Sequence, residues 1–202
     1  PLVTAASGKK FGKTEAGAVW LDASRTSPYR FYQFWVNVDD RDIGRYLRYF
    51  SLRPRSEIET LDRETADHPE QRSAQQALAR EMTARVHGEE SARVAGEVSA
   101  LLFGTSEPKS LSAKALQALA EEVPFVRLAS DGAGLDVLEL FTRAKLVTSK
   151  GAARRLLEQG GLYVNGDRLS ASDKTLGKEH LLTGGHLLLR KGAREYALVK
   201  VE

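Results

Sequence analysis

The chain has 202 residues, 42% of them hydrophobic and 28% charged, with 30 Lys and Arg against 27 Asp and Glu for a formal net charge of +3. That length holds one large or two modest domains, and no apolar run approaches the roughly 20 residues that span a bilayer, so a helical membrane protein is excluded. With no cysteine there is no disulfide framework, thiolate zinc site or cysteine nucleophile, and the scattered His68, His87, His180 and His186 have no ligand spacing, so no metal is expected.

In chain order, residues 1–26 read as irregular, with the Gly/Lys/Thr stretch Ser7 to Thr14 a mobile loop ahead of Val19-Trp20-Leu21. Pro1 stands where a complete chain would have Met, and no signal or transit composition follows, so a piece of a longer chain is expected. Ser27-Pro28 predicts a capped helix start, and the helix carries Phe31, Tyr32, Phe34 and Trp35. This cluster offers a base-stacking surface, but its helical spacing favours core packing. Asp39 and Asp40 sit where a second helix needs a cap, with Ile43, Tyr46, Leu47 and Phe50 on its apolar face. Nothing nearby pairs with those two acids for acid/base work, so capping is the expectation. Ser56 to Glu59 opens a short helix, Pro69 begins a long one, and Gly88 marks a stop or kink before helix resumes to Gly104.

Residues 27–128 are therefore predicted to be an all-α domain, and the polar, glycine-containing residues 129–134 a linker. Residues 135–202 are predicted to be a small α+β domain of two helices and an antiparallel sheet. Leu135 to Leu146 is its first helix, and Ser149 caps a second that runs to Gln159 and stops at Gly160-Gly161. Leu162-Tyr163-Val164 then enters a tight turn at Asn165-Gly166, and Leu187 to Gly192 with Tyr196 to Val199 forms a hairpin.

From Arg143 to Arg155 the chain carries Arg143, Lys145, Lys150, Arg154 and Arg155 with no acid among them, and Arg190, Lys191 and Arg194 follow later. A basic run by itself reads as a solvated face. Here it lies in the stretch from Thr148 to Leu169, T-S-K-G-A-A-R-R-L-L-E-Q-G-G-L-Y-V-N-G-D-R-L, which strongly resembles the S4 RNA-binding domain. The resemblance implies RNA binding through Ser149, Lys150, Arg154, Arg155 and Arg168. The physics agrees, because a helix start with basic residues offers RNA phosphates a pre-formed electropositive edge.

The N-terminal half carries a second resemblance. Lys10-Phe11-Gly12-Lys13-Thr14, with Val19-Trp20-Leu21-Asp22, Thr26-Ser27-Pro28-Tyr29 and Phe31-Tyr32-Gln33-Phe34-Trp35, resembles the second signature of class I aminoacyl-tRNA synthetases in their bacterial tyrosyl form. His87-Gly88-Glu89-Glu90 is similar to a stretch of the same family's helical domain. Without the family, Lys10, Lys13 and Thr14 in a glycine-containing loop are a weak triphosphate signal and not a Walker loop. With it, Lys10, Lys13 and Thr14 are implied to be catalytic in tyrosyl-adenylate formation, Lys13 binding ATP.

The same resemblance implies an anticodon-binding role for the helical domain, tRNA(Tyr) as partner, ATP with magnesium as substrate of the whole enzyme, and a cytoplasmic setting. It places a Rossmann-like catalytic domain and the homodimer interface outside this chain. The chain alone is thus expected to bind tRNA without catalysis, with no cofactor, as a monomer, to bind neither membrane nor DNA, and to be disordered over residues 1–26. The competing reading is a stand-alone S4-type protein acting on ribosomal RNA or ribosomes, which leaves Lys10 to Thr14 unexplained. A third makes the helical bundle a structural spacer or protein-interaction module.

Overall fold

The computed structural model describes residues 3–6, 8, 13–14, 17–103, 106–129 and 134–202, with backbone alone at 13, 14 and 17. The chain divides into two units, Pro1–Gly96 and Glu97–Glu202.

In the first unit, the two-residue strands β1 (Lys13–Thr14) and β2 (Gly17–Ala18) pair antiparallel. Helix α1 (Pro28–Val36) starts at the expected cap, where the Ser27 hydroxyl accepts from the Arg30 N–H at 3.2 Å. Its Phe31, Tyr32 and Trp35 are buried, and Trp35 meets Phe31, Phe34 and Phe50 edge-on at centroid distances of 6.2, 5.2 and 5.3 Å. The aromatic cluster is core, which leaves no stacking platform for bases on this helix.

Helix α2 (Asp40–Phe50) begins at Asp39, whose carboxylate accepts from the Arg41 N–H at 2.9 Å and from Arg41 Nε and Nη2 at 2.9 and 2.8 Å. Those hydrogen bonds hold the Asp39 carboxyl well below the usual carboxylate range. Asp40 in turn accepts from Gln75 Nε2 at 2.6 Å. Both acids have structural partners, in line with capping rather than acid/base chemistry.

The disorder expected over residues 1–26 does not hold for the part that is described. The Thr4 carbonyl accepts from Arg45 Nη2 at 2.6 Å and from the Tyr46 hydroxyl at 3.3 Å, and the Ala6 N–H donates to Asp42 at 2.7 Å. Asp42 is only 3% exposed, and a buried carboxylate requires donors, so this stretch is tied to α2.

Helix α3 (Arg55–Asp67) is thirteen residues, far longer than the short helix predicted. Ile58 is its one fully buried residue, so the apolar period is faint. Local pairs such as Arg53–Glu57 at 2.9 Å and Arg55–Glu59 at 2.7 Å support the helix instead. A 3-10 turn spans Pro69–Gln71, and α4 (Ser73–His87) starts later than expected because Arg72 takes a left-handed conformation with φ 52°. The Arg72 guanidinium donates to the Val36 carbonyl at 2.8 and 3.1 Å and to that of Val38 at 2.9 Å, which closes the end of α1. Gly88, at φ 88°, separates α4 from α5 (Glu89–Leu102), and the boundary between the two units falls within α5.

His87 packs edge-on against Phe31 at 5.1 Å, with Nε2 buried and unpartnered among the described residues. Burial lowers its affinity for a proton below the ordinary histidine value. The unfolded chain therefore binds the proton more readily, and stability falls as pH drops from about 6.5 through the lower folded value. Unfolding followed by Trp35 fluorescence is expected to show a smaller loss between pH 7 and pH 5 in His87→Phe than in the parent. An unchanged difference would mean that His87 does not contribute.

The second unit contains α6 (Ala113–Glu122), β3 (Phe125–Leu128), β4 (Leu135–Asp136), α7 (Val137–Arg143), α8 (Lys150–Glu158), β5 (Leu162–Val164), β6 (Asp167–Arg168), β7 (Thr175–Leu176), β8 (His186–Lys191) and β9 (Glu195–Val201). The main sheet has the order β3-β9-β8-β5-β6. Its β8–β9 and β5–β6 hairpins are the two that the sequence predicted. The sheet is mixed, however, and not purely antiparallel: β3 runs parallel to β9, with Phe125 opposite Leu198 and Leu128 opposite Val201.

The division at Gly96 and Glu97 also departs from the boundary expected at 129–134, and it puts α6 and β3 together in the second unit. Phe125–Leu128, assigned from sequence to the helical domain, is a strand of the second unit, because its backbone groups are satisfied by the last strand of the chain. Residues 130–133 of the predicted linker lie outside the described residues. The first helix of the pair begins at Val137 and not Leu135, since Leu135 and Asp136 pair with Leu176 and Thr175 before the Asp136 carboxylate caps α7.

One face of the sheet, through Leu162, Val164, Leu187, Leu189, Ala197 and Val199, shares a core with Val137, Leu140 and Phe141 of α7 and Ala153 and Leu157 of α8. Between β5 and β6, Asn165 at φ 52° and Gly166 at φ 91° make the expected two-residue turn. Asn165 is also a clamp. Its Oδ1 accepts from the Leu188 N–H at 2.9 Å, its Nδ2 donates to the His180 carbonyl, and its N–H donates to the Leu188 carbonyl at 2.8 Å.

Candidate nucleic-acid interface

Helix α8 starts at the predicted cap, with the Ser149 hydroxyl accepting from the Ala152 N–H at 3.2 Å. Ala153 and Leu157 anchor the helix in the core, which turns Lys150, Arg154 and Arg155 to solvent. Arg154 lies one turn beyond Lys150, so the two share a line along the helix. Lys150 Nζ is 3.1 Å from Glu139 Oε2, and Arg143 Nη1 is 4.0 Å from the other oxygen of that carboxylate. The side chains of Arg154 and Arg155 form no hydrogen bond or ion pair among the described residues. On α8 the cations free of partners among the described residues are thus the two arginines, while Lys150 is pre-paired and must leave or share Glu139 to meet an anion.

Arg168 has a different setting. Its Nε donates to the Gly160 carbonyl at 2.7 Å and its Nη2 to the Gln159 carbonyl at 3.1 Å, which satisfies the carbonyls of the C-cap residue and of the left-handed glycine just past α8. Gly160 is left-handed at φ 66°, and a Cβ there would lie 2.1 Å from the same guanidinium. Arg168 is therefore a helix cap with one nitrogen left for a ligand, a role that residue type alone does not disclose.

In the β8–β9 hairpin, the Arg190 guanidinium stacks over Tyr163 at 3.6 Å and donates to the Gly192 carbonyl at 2.6 Å. Lys191 pairs with Glu195 at 2.8 Å, and Arg194 is exposed.

Sequence reasoning missed two features of the site. Glu139 was detectable only as a residue four before Arg143, since its contact with Lys150 depends on how the two helices pack. Lys145 takes a left-handed conformation, φ 59°, at the end of α7; the hint was a helix stop in Arg143-Ala144-Lys145-Leu146 with no glycine. Of the residues implied to act on ATP, Lys10 lies outside the described residues with Phe11 and Gly12, and Lys13 and Thr14 are described only as backbone of β1. No described helix is long and apolar enough to cross a membrane.

Residues 1–104 match the family described as "tRNA synthetases class I (W and Y)", and the chain belongs to that family of class I aminoacyl-tRNA synthetases. Residues 115–199 match the "Tyrosine--tRNA ligase SYY-like C-terminal domain". This places the chain on the tyrosyl side of the class, in its bacterial form. It is 47% identical over 201 residues to the tyrosine–tRNA ligase of Streptomyces coelicolor, covering 100% of this chain and 47% of that protein. With the tyrosine–tRNA ligase of Roseiflexus castenholzii it shares 48% identity over 204 residues, covering 100% of this chain and 48% of the relative. The chain therefore spans about half the length of these curated relatives. A solution structure of a tyrosyl-tRNA synthetase C-terminal domain aligns with 48% of this chain and 96% of its own, at 28% identity and a TM-score of 0.38.

Proposed function

We propose that this chain is the tRNA-binding part of a tyrosine–tRNA ligase, and that its second unit grips tRNA(Tyr) through the start of α8. The observation that carries this reading is the pair Arg154 and Arg155, exposed and with no side-chain partner among the described residues, on a helix whose first turn is capped and basic. Such an edge attracts backbone phosphates by charge and by the amides of the helix start, and it recognises RNA shape more than base sequence. The match of residues 115–199 to a tyrosine–tRNA ligase C-terminal domain supports the same assignment, and the S4 resemblance gives the domain its type. A stand-alone S4 protein is disfavoured because it leaves the match over residues 1–104 without a reason.

In the whole enzyme, tyrosine is activated by ATP, with magnesium, to tyrosyl-adenylate and then attached to tRNA(Tyr). Lys10 and Lys13 would stabilise charge on the departing pyrophosphate, Lys13 binding ATP and Thr14 assisting. The family resemblance assigns tyrosine selection and the homodimer contact to a Rossmann-like catalytic half, and we propose that residues 1–202 taken alone bind tRNA as a monomer without making adenylate. The helical unit approaches the anticodon arm, and the setting is cytoplasmic.

The test is a salt titration of binding to tyrosine tRNA beside a non-cognate tRNA without a long variable arm. Cognate preference is expected, together with a clear loss of affinity in Arg154→Ala/Arg155→Ala. The slope of log affinity against log salt should fall by about 0.9 for each duplex phosphate contact removed. Equal binding of both tRNAs, or an unaltered slope in the double variant, would overturn the proposal.

A further inference from the structure

Three non-glycine residues among those described have positive φ: Arg72, Lys145 and Asn165. A left-handed backbone is unfavourable for any residue with a Cβ, and Asn is the one of the three that tolerates it well. Arg72 and Asn165 both use the side chain to offset that cost. The Arg72 guanidinium holds the Val36 and Val38 carbonyls, and the Asn165 amide bridges Leu188 and His180. Lys145 is exposed, and its side chain forms no hydrogen bond or ion pair among the described residues. Nothing in the described fold accounts for a lysine at this position.

The backbone at Lys145 is that of a regular helix stop. Its N–H donates to the Thr142 carbonyl at 3.0 Å, and the following Leu146 N–H donates to the Phe141 carbonyl at 3.2 Å. Helix α8 ends with the same pair of bonds, Gly160 N–H to Leu157 at 2.9 Å and Gly161 N–H to Leu156 at 2.8 Å, and there the left-handed residue is glycine. The two stops have the same geometry, so glycine would suit residue 145 as it does residue 160. The neighbouring cations add to the contrast, because Arg143 and Lys150 share Glu139 while Lys145, between them in sequence, has no acid.

We propose that Lys145 is a phosphate-binding residue of the RNA interface, a lysine kept at a position that folding alone would give to glycine. Building on the proposed tRNA-binding role of α8, it extends that edge back along the connection that leads into the α8 cap, from Arg154 and Arg155 to the end of α7. A lysine is a mobile point charge, suited to meeting a backbone phosphate without base preference.

The experiment compares thermal unfolding and tyrosine-tRNA binding for the parent chain, Lys145→Gly, Lys145→Asn, Lys145→Arg, Arg154→Ala and, as a charge-matched control, Lys174→Ala. Lys145→Gly should raise the unfolding midpoint by roughly 2–4 °C while weakening binding about three- to tenfold and lowering the salt slope by about one. Lys145→Asn should weaken binding to a similar degree, Lys145→Arg should retain it, and Lys174→Ala should stay within about twofold of the parent. The inference is overturned if Lys145→Gly and Lys145→Asn bind as the parent does, or if Lys174→Ala loses as much as they do. Should Arg154→Ala still weaken binding in that case, only the role of Lys145 falls; should it also bind normally, the assignment of RNA binding to α8 falls with it.

Discussion

Asn165→Ala is expected to destabilise the second unit by about 3–5 kcal/mol, for two separable reasons. The first is conformational: φ at this residue is 52°, where alanine costs on the order of 1–2 kcal/mol. The second is polar. Asn165 is 6% exposed, and its Oδ1 is the acceptor for the Leu188 N–H. Deleting it leaves a buried donor on the central strand β8 unpaired, at about 1–3 kcal/mol, together with the loss of the bond to the His180 carbonyl. Asn165→Gly removes the first cost and keeps the second, so it should fall between alanine and the parent. Hydrogen exchange of the β5 and β8 amides is the suitable measurement, since both tryptophans, Trp20 and Trp35, belong to the first unit and do not report on this one. Equal stability of the alanine and glycine variants would show that the backbone conformation carries no cost here.

Phe141→Ala should have an effect of similar size for a purely apolar reason. Phe141 is fully buried where α7 meets the sheet, in one cluster with Leu140, Leu157, Leu187 and Val199. Truncation removes the transfer energy of a ring and leaves a cavity that two helices and a sheet cannot fully close, a loss of about 3–5 kcal/mol. Set against a typical domain stability of about 5–15 kcal/mol, that brings the second unit near its unfolding threshold. Because α7 carries Glu139 and leads directly into Lys145, the proposed RNA binding should fail at temperatures where the parent still binds. Denaturant unfolding followed by far-ultraviolet circular dichroism, with tRNA binding measured in parallel, checks both. A loss below about 1 kcal/mol would mean that the site collapses around the missing ring.

Elements with local chemical signals were legible in the sequence. Ser27-Pro28, Asp39 and Ser149 announce caps within a few residues of the helices they start, and Asn165-Gly166 announces a turn that needs two positive φ values. Elements defined by distant partners were not. Phe125–Leu128 is a strand because of Leu198–Val201, more than 70 residues away by number, and no local pattern separates it from the end of a helical domain. Helix α3 was under-read because ion pairs, and not an apolar stripe, support it.

The site shows the same division. Residue type and spacing bring out the basic edge of α8, but whether a cation is free, paired or capping is a property of packing. Arg154 and Arg155 are free among the described residues, Lys150 is held by Glu139, and Arg168 closes the helix it follows.

The parallel pairing of β3 with β9 makes the first and last strands of the second unit neighbours, so the stretch from Phe125 to Val201 is stitched together at its two ends. A polypeptide beginning at Leu135 would carry every residue of the predicted RNA-binding domain yet lack β3. The seven-residue β9 would then become a bare sheet edge, a template for strand exchange or aggregation. A protease cut between β3 and β4 would have the opposite result, two pieces that stay joined by a strand-to-strand seam with no covalent link across the cut. The smallest autonomous piece that keeps the proposed RNA-binding edge therefore has to begin ahead of Phe125.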